Sequence, residues 1–442
     1  MCLKNVETEC PPAKVDIHIT LHMIRIKTII LFTCIILLMS CKNRIIQENK
    51  NIMNLQLEAP IIIDIARDFN KKKEFKLSEI ADDIEYVKLE KTTESLVGGG
   101  IPFWYITKEY IFVYNSNRLL QFSRKGNYIK QIGKYGRGPG EILSTRGLAL
   151  NESNNTLYVI SNFANKVLKY DIDTGEFLGD FPINNALGSA MLPKSFLIIA
   201  KDTFMALSHP VTQFTSDYVI FEIFNDNGNV LAQKKSSLFS IQNDDKNVKR
   251  IENGFTQVWF FNEHFRLFED LNDTIYDIKN NHLEPVYLFN LNGYKGPFDL
   301  MTTNYVRSKI NYIRLFGFWE TSKFLLFRFY YNGISYCAQY DKIRKEFHQL
   351  INTKDNSGKM YNDIDGGLSF WPLYSVDHLD NEWICYMDAI DFKQQLSNGW
   401  LMTSEAKYPD KKEKLINFVN NLAIDDNPVL IFLKLKEYHN CK

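Results

Sequence analysis

The chain has 442 residues, 45% hydrophobic and 24% charged, with 52 basic residues against 52 acidic ones. This is the profile of a folded globular protein, and it excludes a disordered or collagen-like chain. The even charge offers no global field for nucleic acid, and the 32 Phe and 23 Tyr favour strands.

The first element is an address. From Met23, Arg25 and Lys27 supply a positive region, and Ile29 to Met39 form an apolar run. That run is short for a bilayer span but suits a signal peptide. Leu38-Met39-Ser40-Cys41 then fits a bacterial lipobox, with Met39 a mild departure. The pattern predicts lipid attachment at Cys41, and so a membrane as partner; an uncleaved anchor helix is the alternative. Residues 23–40 are the signal, and residues 1–22 in front of it read as an over-extended translation start.

Removing residues 1–40 takes away four Lys/Arg and three Asp/Glu, which leaves a formal charge of −1. Of the remaining cysteines, Cys41 is used by lipid, and Cys337, Cys385 and Cys441 are scattered without a C-x-x-C. Neither a disulfide scaffold nor a zinc site is indicated. Residues 41–74 read as a polar tether, and the folded domain, 75–442, is expected to begin at Phe75.

From there one pattern recurs. Residues 110–132, 156–181 and 218–234 are short apolar-aromatic runs separated by turn clusters, with weaker copies at 274–289 and 335–350. Gly126, Gly175 and Gly228 stand where a hairpin needs positive φ. The aromatic markers Phe122, Tyr170, Phe224, Tyr276 and Tyr340 recur about every 50 residues, the signature of a propeller with four strands per blade. "EWICYM" (382–387) and "NPVLIFLKLK" (427–436) supply a sixth blade. The fold class is all-β, a six-bladed β-propeller. "DIEYVKLE" (83–90) and the last strand each stand apart from a complete blade, so the two are expected to share one. Between them, residues 408–422 place Leu415, Phe418, Val419 and Leu422 on one face of a short C-terminal amphipathic helix.

Within this pattern "IGKYGRGPGEI" (132–142) raises the question of phosphate binding. A P-loop needs Lys and Ser/Thr after its last glycine, but Pro139 and Gly140 stand there. Pro139 also removes an amide donor. Gly133, Gly136, Gly138, Pro139 and Gly140 are therefore read as a structural inter-blade loop.

No catalytic residue is assigned. The histidines after Cys41 form no H-x-H, H-x-x-x-H or H-E-x-x-H, and there is no G-x-S-x-G. No cofactor is called for, although ligands from separate blades could meet a metal at the propeller axis. "NDDKN" (243–247) and "YNDIDGG" (361–367) gather acids; the second resembles a calcium loop faintly, and a solvated turn is the expectation. The aromatic stretches 104–115 and 316–333 suit core filling between sheets. Asp273-Thr274-Ile275 matches an Asp-Ser/Thr-aliphatic glycosylation pattern, with packing the expected role.

Four stretches, "LSEIADDIEYVKLE", "IGKYGRGPGEI", "LNDTIYDI" and "DDNPVLIFLKLK", together resemble the six-bladed β-propeller lipoproteins of Bacteroides and relatives, a group related in shape to NHL-repeat propellers. The resemblance implies a fold and a cell-envelope location at the outer membrane, and no catalytic residues. "KNRIIQ" after Cys41 lacks the acidic cluster that resembles a Bacteroides surface-export signal, which favours the periplasmic side. The functional expectation is a monomeric binding or scaffold module for a glycan, peptide or envelope protein at one propeller face. A metal-dependent enzyme resembling gluconolactonase-like or lyase propellers is the alternative, and a purely architectural protein is third.

Overall fold

The computed structural model describes residues 59–98, 102–145, 147–161, 165–183, 196–207, 219–236, 256–279, 282–296, 311–375 and 381–436. Cys41, Cys441 and residues 243–247 lie outside the described residues.

Three strands open the chain: β1 (Ile61–Asp64), β2 (Lys72–Glu74) and β3 (Ala81–Lys88). Blade 1 follows as β4 (Phe103–Ile106), β5 (Tyr110–Asn115), β6 (Arg118–Ser123) and β7 (Tyr128–Ile132). The short strands β8 (Lys134–Tyr135) and β9 (Glu141–Ile142) lead to blade 2: β10 (Leu148–Asn151), β11 (Thr156–Ser161), β12 (Lys166–Asp171) and β13 (Phe177–Pro182). Blade 3 is β14 (Phe196–Ala200), β15 (Thr203–Leu207), β16 (Val219–Asn225) and β17 (Val230–Lys235). Blade 4 is β18 (Gln257–Phe261), β19 (His264–Phe268), β20 (Thr274–Lys279) and β21 (His282–Asn290). Blade 5 is β22 (Arg314–Glu320), β23 (Phe324–Tyr331), β24 (Ile334–Asp341) and β25 (Glu346–Ile351). Blade 6 takes β26 (Tyr374–Ser375), β27 (Glu382–Met387) and β28 (Val429–Leu435).

The fourth strand of blade 6 is β3, antiparallel to β28 with Ile84 opposite Leu433 and Lys88 opposite Val429. The first and last parts of the domain therefore share one blade, and the ring closes without a free edge between its ends. Pro428 precedes β28, where a missing donor does least harm.

The six core clusters each span one blade interface. This arrangement explains the sequence pattern. A middle strand such as β11 is covered on both sides and is buried along its whole length, whereas the outer strand β13 alternates.

The tether is shorter than the sequence suggested. β1 pairs in parallel with β21, and β2 in parallel with β25, so the chain wraps the outer edges of blades 4 and 5 before entering blade 6. Ile63 and Ile65 enter the core there. Ordered structure thus precedes Phe75, because the open edge of each blade offers unpaired N–H and C=O groups to a passing chain.

Helix α1 (Ile65–Asp68) links β1 to β2. Three more helices sit between β27 and β28: α2 (Ala389–Ser397), α3 (Trp400–Thr403) and α4 (Pro409–Asn420). Proline at the first position suits the start of α4, and its Leu415 and Val419 are buried. With Phe392 and Leu401 they join Phe324 and Leu326 of blade 5 to Trp383 and Ile431 of blade 6. The helices wedge that interface.

Candidate functional site

The first strands of neighbouring blades approach one another, β10 with β14, β18 with β22 and β26 with β4, so these strands surround the axis. Their sequences are FWYI, LALN, FLIIA, QVWFF, RLFGFWE and YS. Arg314 and Glu320, at the two ends of β22, are their only charged residues.

Both charges are buried and turned to blade 4. Arg314 Nε donates to Asp270 Oδ1 at 3.0 Å, and an Nη group donates to the other carboxylate oxygen. The neighbouring Glu269 accepts from Ser236 Oγ, just past β17. Two consecutive acids thus stitch blade 4 to the blades on either side. Burial pushes the Glu269 carboxyl up to about 7, with Asp270 adding to the rise.

At the other end, Glu320 accepts from Lys342 Nζ and Tyr287 Oη, both at 2.7 Å, from Trp259 Nε1 at 3.1 Å and from Arg266 Nε at 3.2 Å. Arg266 also pairs with Asp277. Burial alone would raise the Glu320 carboxyl, but Lys342, Arg266 and Tyr287 outweigh it and hold it below the ordinary range. The partners of this carboxylate leave it little capacity for a substrate. Chemically it does what a buried ion cluster does well, which is to fix the registry of two blades.

No group of three or more His, Cys, Asp or Glu could hold a metal ion among the described residues. His264, His282 and His348 lie on β19, β21 and β25. Cys337 and Cys385 are buried free thiols.

The glycine-rich stretch runs from the end of β7, the outer strand of blade 1, toward β10 of blade 2, with β8 and β9 paired in parallel. Its concavity holds its own carboxylate: Gly138 N donates to Glu141 Oε2 at 2.7 Å, and a Cβ at Gly136 would overlap that group. Gly133 and Gly140 have φ of 58° and 68°, and Tyr170 Oη donates to Gly140 O at 2.9 Å. Pro139 is exposed.

The calcium-like loop is not a solvated turn. Asn362 and Asp365 are buried. Asn362 Nδ2 donates to Asp365 Oδ1 at 2.7 Å, and Gly367 N donates to the same oxygen at 3.0 Å. The acids cap backbone groups, since Asp363 accepts from Ser78 N and Oγ beside the start of β3. Thr274 is buried at the start of β20 and bonds Asp273. Sequence reasoning missed Arg266, Asp270, Asp277, Arg314, Glu320 and Lys342. The only signal was a charge inside otherwise apolar strands, as in "HFRLF" and "TIYDIK".

Six meanders closed by an N-terminal strand define the chain as a six-bladed β-propeller. It belongs to the family described as "Domain of unknown function (DUF4934)", whose model matches residues 60–434. Among solved structures it is similar to a Bacteroides fragilis protein described as exported, at 19% identity over 85% of this chain and 100% of that one, with a TM-score of 0.60. A member of the DUF4221 family from Bacteroides vulgatus matches at 10% identity over 61% of this chain and 84% of the other, with a TM-score of 0.41. No curated protein matches. None of the helices in the described residues is long and apolar enough to cross a membrane.

Proposed function

We propose that the chain is an envelope binding or scaffold module, anchored by lipid at Cys41 and presenting one propeller face to a glycan, peptide or envelope protein. The observation that carries this reading is the axis. In the described residues its strands are apolar and aromatic, and their two charges are engaged in ion pairs that join blades. Apolar and aromatic side chains exposed at a propeller mouth suit stacking on sugar rings or peptides. The exported description of the similar Bacteroides fragilis protein is in keeping with an envelope location. We place the chain on the periplasmic side of the outer membrane, because "KNRIIQ" carries no acidic cluster.

The test is a binding screen of the detergent-purified mature protein against envelope glycans and peptides, with turnover assays on lactones and uronate glycans in added Ca²⁺, Mg²⁺ or Zn²⁺. Saturable binding without turnover supports the reading. Metal-dependent turnover overturns it in favour of an enzyme.

A further inference from the structure

Blade 5 turns two kinds of side chain toward its neighbours. Phe327, Phe329, Ala338 and Tyr340 pack toward blade 4. Alternation therefore turns Arg328, Cys337 and Gln339 toward blade 6, where Cys337 and Trp371 share a core layer. Arg328 stands opposite Cys337 across β23 and β24, with its guanidinium carbon 5.0 Å from the centre of the Trp371 ring. Its Nε is buried with no hydrogen-bond partner. Among the described residues no carboxylate forms an ion pair with Arg328; Lys359, half-buried, is the second cation acting on the Cys337 thiol, and its charge also acts on the Asp391 carboxyl.

The next inward-facing position deepens the imbalance. Gln339 is 1% exposed, and neither its amide nitrogen nor its oxygen has a partner. His348 stands opposite Gln339 on β25, and its buried Nδ1 is likewise unbonded. Native interiors satisfy buried polar groups and pair buried charges. The deeply buried cations described above each meet a carboxylate; here a half-buried guanidinium with a buried, unbonded Nε stands on the same face as a fully buried amide that has no partner.

We propose that Arg328, Lys359 and Gln339 form a carboxylate-binding site between blades 5 and 6, for the carboxylate of a uronic-acid residue or of a peptide C-terminus. A guanidinium held over Trp371 offers a flat edge, Nε with one Nη, that matches the two oxygens of a carboxylate. The Gln339 amide adds a donor, and Lys359 adds charge. Gln339 Oε1 is then free to accept from a ligand hydroxyl or N–H. The inference deepens the binding reading by naming a ligand chemistry, and it rests on that reading only for the source of the carboxylate.

The experiment is calorimetric titration of the mature protein with galacturonate and with N-acetylglycine, each beside its neutral counterpart, galactose and N-acetylglycinamide. The carboxylates are expected to bind and the neutral forms not; which carboxylate binds tighter identifies the source. Arg328→Gln should weaken binding about tenfold or more. Lys359→Gln, on a loop, serves as a second variant if Arg328→Gln does not fold, and should also weaken binding. Equal binding of charged and neutral forms, affinity unchanged in both variants, or no carboxylate binding by folded protein would overturn the site and leave ordered water as its occupant. Neutral glycans bound in that last case would overturn this site while the binding reading stands.

Discussion

Arg266 of blade 4 and Glu320 of blade 5 form an ion pair at 3.2 Å in which both side chains are buried. The pair is the centre of a cluster whose other members, Lys342, Tyr287, Trp259 and Asp277, come from four further strands or turns. Breaking a buried pair from one side leaves a charge with no solvent to receive it. Glu320→Ala is therefore expected to lower unfolding free energy by about 3–5 kcal/mol. Chemical denaturation would show this as an earlier midpoint. Glu320→Gln keeps the shape but leaves Lys342 and Arg266 uncompensated, so it should recover only part of the loss.

Two buried acids, Glu320 at the end of β22 and Glu269 just after β19, give stability opposite pH dependences. Glu320 titrates below its ordinary range in the folded chain. Its contribution is present above the unfolded value, about 4.3, and is lost as pH falls. Glu269 is raised to about 7. Its contribution is fully present below the unfolded value and is lost as pH rises through 7. Together the two groups place the most stable point near the unfolded carboxyl value, at about pH 4–5. Glu269→Gln should flatten the decline between that point and pH 8. Urea midpoints across the range check this, and an unchanged slope in the variant would assign the decline to other groups.

Gly126 and Gly228 are expected to be intolerant of alanine for two separable reasons. Each has positive φ, 87° and 78°. A Cβ would also overlap a carbonyl oxygen of the preceding blade's outer strand region, that of Lys88 or of Pro182. Gly293, with φ of 80°, has open space around its Cβ position. Gly293→Ala should cost about 1–2 kcal/mol from backbone strain alone. Gly126→Ala and Gly228→Ala should each cost clearly more, because backbone must move. Equal melting temperatures for the three variants would contradict the inter-blade packing.

Much of this was legible because propeller blades repeat local rules. The turn glycines and the middle strands follow from side-chain period and positive φ, and Phe122, Tyr170, Phe224 and Tyr340 are all buried near the ends of third strands. Tyr276 is the exception. It is only half-buried, and the equivalent penultimate position of β20 is Ile278, two residues on. An apolar-polar alternation cannot distinguish positions on one face two residues apart. β1 and β2 were illegible for another reason: three or four residues have no period, and they are strands because blade edges pair with them. The charge cluster around Glu320 joins residues up to 83 positions apart, from Trp259 to Lys342, and spacing carries no trace of that. Helices α2 and α3 went unread beside the stronger pattern of α4.

Cys337 and Cys385 should resist thiol reagents in the native state. Both are buried, and burial pushes both thiols up, so little thiolate is available. Peptide mapping after a brief exposure to a thiol-labelling reagent should find neither modified until denaturant is added. A reductant should leave the melting temperature unchanged.

Ring closure is the claim on which the rest depends, since every blade interface needs both neighbours. Its hinge is Asn427, buried before β28, which takes Val97 N at 2.8 Å and donates to Glu90 O at 2.8 Å and Ser95 O at 3.1 Å. It thereby ties the last strand to the connection that leaves β3. The most direct test compares thermal unfolding of two deletions. Removing 427–442 strips β28 and leaves β3 without a partner, and the account predicts an insoluble chain or a melting point far below that of the full-length protein. Removing 42–58, ahead of the belt strands, should leave the melting point unchanged. A soluble 427–442 deletion that unfolds at the full-length temperature would contradict closure through β3 and β28, and the six-blade ring with it.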